Sequence, residues 1–191
     1  MNVSHLFPTV IGSFDFSNDP DLQVLLDIIK NYPKEPHMLL SGGVSSYSTE
    51  TRILNDERIT GLKRRIQDSV NQYVEYIGVA PVDIGVSWFN VLTAGHRVKP
   101  HRHEVSVVSG AFYVEADEGS VGLTFASPLA PLRMFEFVQN INEHNSNFWT
   151  IPCKTGMLYL FPSWLEHSTE LNETENRITV SFNTTYRFGV N

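Results

Sequence analysis

The sequence predicts an α+β fold that is mainly β, and three observations carry that prediction. From about residue 82 onward, apolar residues recur with a period near two, in runs rich in Val, Ile, Phe, Trp and Tyr. Turn signals separate these runs: Asp117-Glu118-Gly119, Ser127-Pro128, Lys154-Thr155-Gly156 and Asn172-Glu173-Thr174. Before residue 80, by contrast, two stretches carry apolar residues at helical spacing. Many short strands at regular intervals argue for an antiparallel sandwich or barrel, with the two helices packed outside it.

Element by element, residues 5–12 read as a short starting strand. Residues 20–30 read as a helix, with Asn18 or Asp19 placed to cap it. The Gly-, Ser- and Pro-rich stretch 34–51 reads as a loop. Residues 56–77 resume the helical period, with Ile59, Leu62, Ile66, Val70, Tyr73, Val74 and Ile77 on one stripe and Gly78 as the stop. Strands are expected at 84–92, 106–114, 121–125, 148–151, 157–161 and 177–186.

A chain of 191 residues suits one domain, and 41% hydrophobic against 18% charged residues supports a packed core. With 14 basic and 21 acidic residues, the net charge of -7 argues against nucleic acid or an anionic membrane as a partner. A lone cysteine, Cys153, rules out an internal disulfide framework. No run approaches the roughly 18 apolar residues that span a bilayer. The N-terminus lacks a basic n-region, so a cytoplasmic protein is expected and the Asn-x-Ser/Thr triplets at Asn2, Asn172 and Asn183 read as chance matches.

Seven histidines beside one cysteine point to imidazole as the available metal ligand. His101 and His103 stand in Lys99-Pro100-His101-Arg102-His103-Glu104, just before the strongest strand. In an extended segment, residues two apart point to the same side, so both rings can aim at one place. His167 lies in Phe161-Pro162-Ser163-Trp164-Leu165-Glu166-His167-Ser168, between two strands, and in a double sheet can meet them at the mouth. Three ligands on one face leave coordination positions open, the arrangement that non-haem Fe(II) needs for catalysis. His5, His37, His96 and His144 read as surface or loop residues.

Ten residues past His167, Arg177 and Thr179 share one face of a strand, with Ile178 and Val180 on the other. A fixed guanidinium beside a hydroxyl is a fork for a carboxylate. The bland alternative is a salt bridge to one of the many acidic residues.

In these segments the sequence resembles the iron(II)- and 2-oxoglutarate-dependent oxygenases, and within them a family of small oxygenases found in cyanophages and bacteria. The matching stretches are Phe7-Pro8-Thr9, Trp88-Phe89-Asn90-Val91-Leu92, residues 101–114, 160–168 and 177–183. They cover the C-terminal hundred residues well and the first eighty weakly. The resemblance implies a double-stranded β-helix (jelly roll, cupin-like) with flanking helices, in one oxygenase domain. Residues 1–80 would then be helical and loop support, and 81–191 the core with the metal site. It implies Fe(II) held by His101, His103 and His167. Arg177 and Thr179 would pair with the distal carboxylate of the cosubstrate 2-oxoglutarate, helped by Tyr113 and Asn90. The reaction implied is hydroxylation of an unidentified small-molecule or peptidyl substrate with O2, forming succinate and CO2.

One position departs from the wider superfamily. Two residues after the first histidine a carboxylate is usual, and here stands His103, so either three histidines bind or Glu104 swings in. Alternation along the chain favours His103. Two other readings stay open: a cupin-like three-histidine dioxygenase that needs no 2-oxoglutarate, and a non-catalytic jelly-roll binding module. Trp88, Trp164 and Phe161 are candidate pocket walls, and 33–51 and 126–148 candidate lids. A phage-encoded protein would work in the host cytoplasm. The amphipathic 56–77 segment suits either a core or a homodimer partner.

Overall fold

A computed structural model describes residues 1–133 and 136–187. Along the chain run β1 (Gly12–Asp15), α1 (Leu22–Lys30), β2 (Leu40–Ser41), β3 (Val44–Ser45), α2 (Thr60–Tyr76) and β4 (Val82–Leu92). After these come β5 (Arg97–Val98), β6 (Val108–Ala116), β7 (Leu123–Ala126), β8 (Phe148–Ile151), β9 (Met157–Pro162), β10 (His167–Ser168) and β11 (Arg177–Tyr186). Six strands form one sheet in the order β1-β9-β6-β11-β4-β3, and three form a second in the order β10-β7-β8. A small third ladder pairs β2 with β5. Every named strand pair is antiparallel. The architecture is a double-stranded β-helix with flanking helices, mainly β as the sequence predicts.

The larger sheet is covered on both faces, and alternation sorts its residues. Phe89, Phe112, Leu158, Leu160, Ile178, Val180 and Phe182 pack against the buried stripes of α1 and α2. The residues between them, including Trp88, Asn90, Tyr113, Phe161, Arg177 and Thr179, face a cavity on the other side. A second core of Ala111, Leu123, Phe125, Phe161 and Leu165 closes that side against the smaller sheet.

Helix α2 carries the predicted stripe and ends as its glycine demands. Gly78 has φ +70°, its N–H donates to the Glu75 carbonyl, and the Val79 N–H donates to the Val74 carbonyl. Those two bonds are a Schellman motif, which satisfies carbonyls the last turn leaves open. The helix starts at Thr60 rather than 56, after 3-10 turns at Ile53–Asn55 and Glu57–Ile59.

Three expectations need correction. Residues 5–11 form no strand; β1 begins at Gly12, opposite Leu160, and two places earlier the ladder would meet Pro162, which has no N–H to donate. Neither Asn18 nor Asp19 is the N-cap of α1; that residue is Asp21, whose own side chain makes no cap bond, while its N–H donates to Asp19 Oδ1 at 3.0 Å. The Asp19 and Asp21 carboxylates instead clasp Arg65 on α2, and Asp21 Oδ2 accepts the Leu62 N–H, one of the free donors in the first turn of α2. The stretch 34–51 is no plain loop: it carries β2 and β3, which tie it to β5 and β4.

Gly110 on β6 tests the packing. A Cβ there would run into the ring of Phe182, a fully buried side chain that would have to shift. Gly110→Ala is expected to destabilise the fold by about 1–3 kcal/mol through overpacking. Gly85→Ala, whose nearest neighbour would be 3.4 Å away, should cost less than half as much. Denaturant titration of both variants checks this; equal losses would contradict the packing described.

Candidate metal centre and anion pocket

The three predicted histidines come together. His101 and His167 form an antiparallel bridge in which each N–H donates to the other's carbonyl, at 3.1 and 3.0 Å. The His103 N–H donates to the Ser163 carbonyl at 3.0 Å, which folds the 101–107 segment over the 163–167 segment. Ring centroids then lie 4.2 Å apart for His101 and His167, 5.0 Å for His101 and His103, and 5.2 Å for His103 and His167. One ring nitrogen from each falls within 4.8 Å of the others.

The main chain also decides the tautomers. His101 Nδ1 lies 2.9 Å from the Lys99 carbonyl, and His167 Nδ1 lies 2.9 Å from the Leu165 carbonyl. A carbonyl only accepts, so each Nδ1 carries the proton and each Nε2 keeps its lone pair. Burial pushes all three rings below the ordinary histidine value, to about 4 for His103 and about 3 for His167, and mutual repulsion adds to it. The cluster is therefore neutral at pH 7, with lone pairs available to a cation. Glu104 is exposed and stands outside the cluster.

Deeper in the same cavity of about 230 Å³ lie Arg177, Thr179, Tyr113 and Asn90. Arg177 is only 2% exposed. Its Nε donates to the Val121 carbonyl at 2.8 Å, its Nη1 to Thr179 Oγ1 at 3.1 Å, and its Nη2 to Tyr113 Oη across a long 3.4 Å. Among the described residues, no carboxylate lies within 4.0 Å of it. The salt-bridge alternative is thus absent, and a buried cation faces a cavity without a countercharge. Such a charge is costly unless something anionic joins it. Burial raises the Tyr113 phenol above its ordinary value, so it keeps a proton to donate. Asn90 Nδ2 reaches Ser181 Oγ at 3.4 Å.

Some expectations fail here. Trp88 and Phe161 line the cavity, but Trp164 is 53% exposed and stands away from it. None of the described residues of 126–148 lines the cavity; Met134 and Phe135 of that stretch lie outside the described residues. His37, expected at the surface or in a loop, does lie in a loop, but it is half-buried and lines the cavity with Tyr47. No local signal marks either residue, since the β2–β5 and β3–β4 pairings bring them in. Ser181 was within reach of the sequence, two places past Thr179 on the same strand face.

Comparison with known proteins places this geometry. A family model described as "Putative 2OG-Fe(II) oxygenase" matches residues 86–183, just over half of the chain. Among solved structures, the chain is similar to the non-heme alpha ketoglutarate dependent epimerase SnoN from nogalamycin biosynthesis, with a TM-score of 0.65 at 12% identity, covering 93% of this chain and 78% of that one. It is similar to the viral collagen prolyl hydroxylase of Paramecium Bursaria Chlorella virus-1, with a TM-score of 0.59 at 13% identity, covering 92% and 96%. HygX from Streptomyces hygroscopicus, solved with nickel, 2-oxoglutarate and hygromycin B bound, gives 0.64 at 10% identity, covering 94% and 84%. At such identities these likenesses show the fold alone. No curated protein matches the chain.

Cys153 offers a check on the electrostatics of the Arg177 end. Burial pushes its thiol up to about 11, a rise that Arg177 partly offsets. At pH 8 only about one molecule in a thousand is then a thiolate, against roughly one in five for a free thiol. Alkylation by iodoacetamide at pH 8 is expected to run more than tenfold slower than for free cysteine and to climb steadily towards pH 11. Reaction at the free-cysteine rate would contradict the burial.

Proposed function

This chain belongs to the 2OG-Fe(II) oxygenase family, and from that premise we propose that His101, His103 and His167 hold the iron while Arg177, Thr179 and Tyr113 hold the distal carboxylate of 2-oxoglutarate. The protein is a non-haem Fe(II)- and 2-oxoglutarate-dependent oxygenase, and its residues fit both groups. Three neutral imidazoles suit a divalent cation, and backbone carbonyls at two Nδ1 atoms orient the rings as ligands require. The observation that carries the anion assignment is Arg177: a buried guanidinium open to the cavity, with no carboxylate of its own. A dioxygenase that did without 2-oxoglutarate would leave that cation unexplained.

Iron with 2-oxoglutarate and O2 supplies oxidative decarboxylation to succinate and CO2, coupled to oxidation of a substrate C–H bond. The chain's own residues bind and orient. Val121 and Thr179 fix the guanidinium plane, so little order is lost when a carboxylate docks on it. Tyr113 donates its phenolic proton to the same carboxylate. Asn90, on the neighbouring strand opposite Thr179, adds an amide donor toward the cosubstrate. Phe161 and Trp88 keep water from the centre. On this reading the whole chain is one oxygenase domain, 1–80 supporting and 81–191 reacting. It hydroxylates a small-molecule or peptidyl substrate in the cytoplasm, without nucleic acid.

Anaerobic titration with Fe(II) and 2-oxoglutarate, followed through the visible absorption of the chelate, tests the roles. His167→Ala is expected to abolish metal binding. Arg177→Ala should keep the metal and weaken 2-oxoglutarate by about two orders of magnitude, the scale of a lost buried charge-assisted pair. Equal loss of both ligands in the Arg177 variant would overturn the division of labour.

The second ligand has its own test. His103→Ala should lower metal affinity at least tenfold, and Glu104→Ala should leave it unchanged. Loss only in the Glu104 variant would reassign the ligand.

A further inference from the structure

The cavity has a second end, unlike the first. Across β4 and β11, Leu92 lies opposite Arg177, Asn90 opposite Thr179, and Trp88 opposite Ser181. Four residues along a strand offset the backbone positions of Trp88 and Arg177 by about 13 Å on the same sheet face. At that end four rings make successive contacts: His103 to Trp88 at 5.9 Å between centroids, Trp88 to Tyr47 at 5.1 Å, and Tyr47 to His37 at 4.8 Å. The series runs from the histidine cluster, past buried Trp88, to Tyr47 at 44% exposure, with Met38 at 80% beside it.

The segment carrying the outer rings is fixed. Leu40 and Ser41 pair with β5, Val44 and Ser45 pair with β4, Ser45 Oγ donates to the Phe89 carbonyl, and the Tyr47 N–H donates to Ser45 Oγ. The rings therefore form a prepared surface rather than a flap. Its electrical character is as plain: among the described residues no Asp, Glu or Lys lines the cavity, and the one Arg sits at the far end. Burial also lowers the His37 ring below its ordinary value. A cationic group entering here would lose its water and meet no carboxylate, whereas an aromatic ring would gain stacking and edge contacts. With about 230 Å³ shared between the two ends, only a ring-sized portion fits inside, and anything larger lies outward over Tyr47 and Met38.

We propose that the His37–Tyr47–Trp88 end is the substrate subsite and that it accepts an aromatic ring carrying no positive charge. Calling the ligand a substrate rests on the oxygenase reading above; the selection against a cationic ring does not. Ser181, between the two ends, is placed to bond a heteroatom on that ring.

Anaerobic equilibrium dialysis of the Fe(II)- and 2-oxoglutarate-loaded protein with indole and tryptamine tests the proposal. Indole is expected to bind at least tenfold tighter than the cationic tryptamine. Tyr47→Ala should weaken indole threefold or more without changing 2-oxoglutarate affinity, and Tyr47→Phe should restore it. No saturable indole binding, equal binding of tryptamine, or an unchanged Tyr47→Ala variant would overturn it. Indole binding that persists in a protein unable to take 2-oxoglutarate would support the subsite and count against the cosubstrate assignment instead.

Discussion

The two-way backbone bridge between His101 and His167 is the constraint on which the centre depends. His167 opens β10, a strand of the smaller sheet, while His101 lies on the approach to β6 in the larger one. The bridge therefore sits where the two sheets meet, and it sets both imidazoles by main-chain geometry instead of by flexible side-chain contacts. Ser163 extends the same seam: its carbonyl takes the His103 N–H and its own N–H goes to the Val107 carbonyl. Its hydroxyl lies 2.8 Å from Ser109 Oγ, which in turn donates to Asn183 Oδ1 on β11. A buried polar chain of this kind is stabilising only when every member is satisfied, and here it joins the histidine segment to the centre of the sheet.

The two covered faces of the larger sheet explain why the site can be polar without unfolding the core. Ile178, Val180 and Phe182 hold β11 against the helices while Arg177, Thr179 and Ser181 face the cavity. The apolar half of each strand thus compensates for a polar half that burial alone would penalise. Arg177 also has three partial anchors, so its position does not wait on a ligand. A protein of net charge -7 consequently carries a local cationic well, and its acidic surface does not reach into it.

Much of this was legible in the sequence because the relevant signals are local. Period-two alternation located β4, β6, β8, β9 and β11 within a few residues, since one strand face had to be apolar. The spacing of His101 and His103, and of Arg177 and Thr179, follows from the same rule. The misreadings share the opposite cause. Where β1 starts depends on its register against β9, which ends at Pro162. Asp19 and Asp21 are used by α2 and Arg65 across 40 residues or more of chain, so a local capping rule misplaces the cap at Asn18 or Asp19. His37 and Tyr47 gain their meaning only through two-residue ladders, too short to leave a periodic trace.

With His103 as a ligand, as proposed above, the electrostatics of the whole cavity differ from those of a site with a carboxylate there. Three neutral ligands would leave a bound divalent cation with its full charge, and Arg177 adds one more at the deep end. A dianionic cosubstrate would then fall one charge short of neutralising the pocket, and among the described residues no acidic side chain lines the cavity to supply the difference. The residual positive charge would weigh against any cationic group approaching the centre. The same ligand that would make the metal site unusual would therefore also narrow what can approach it.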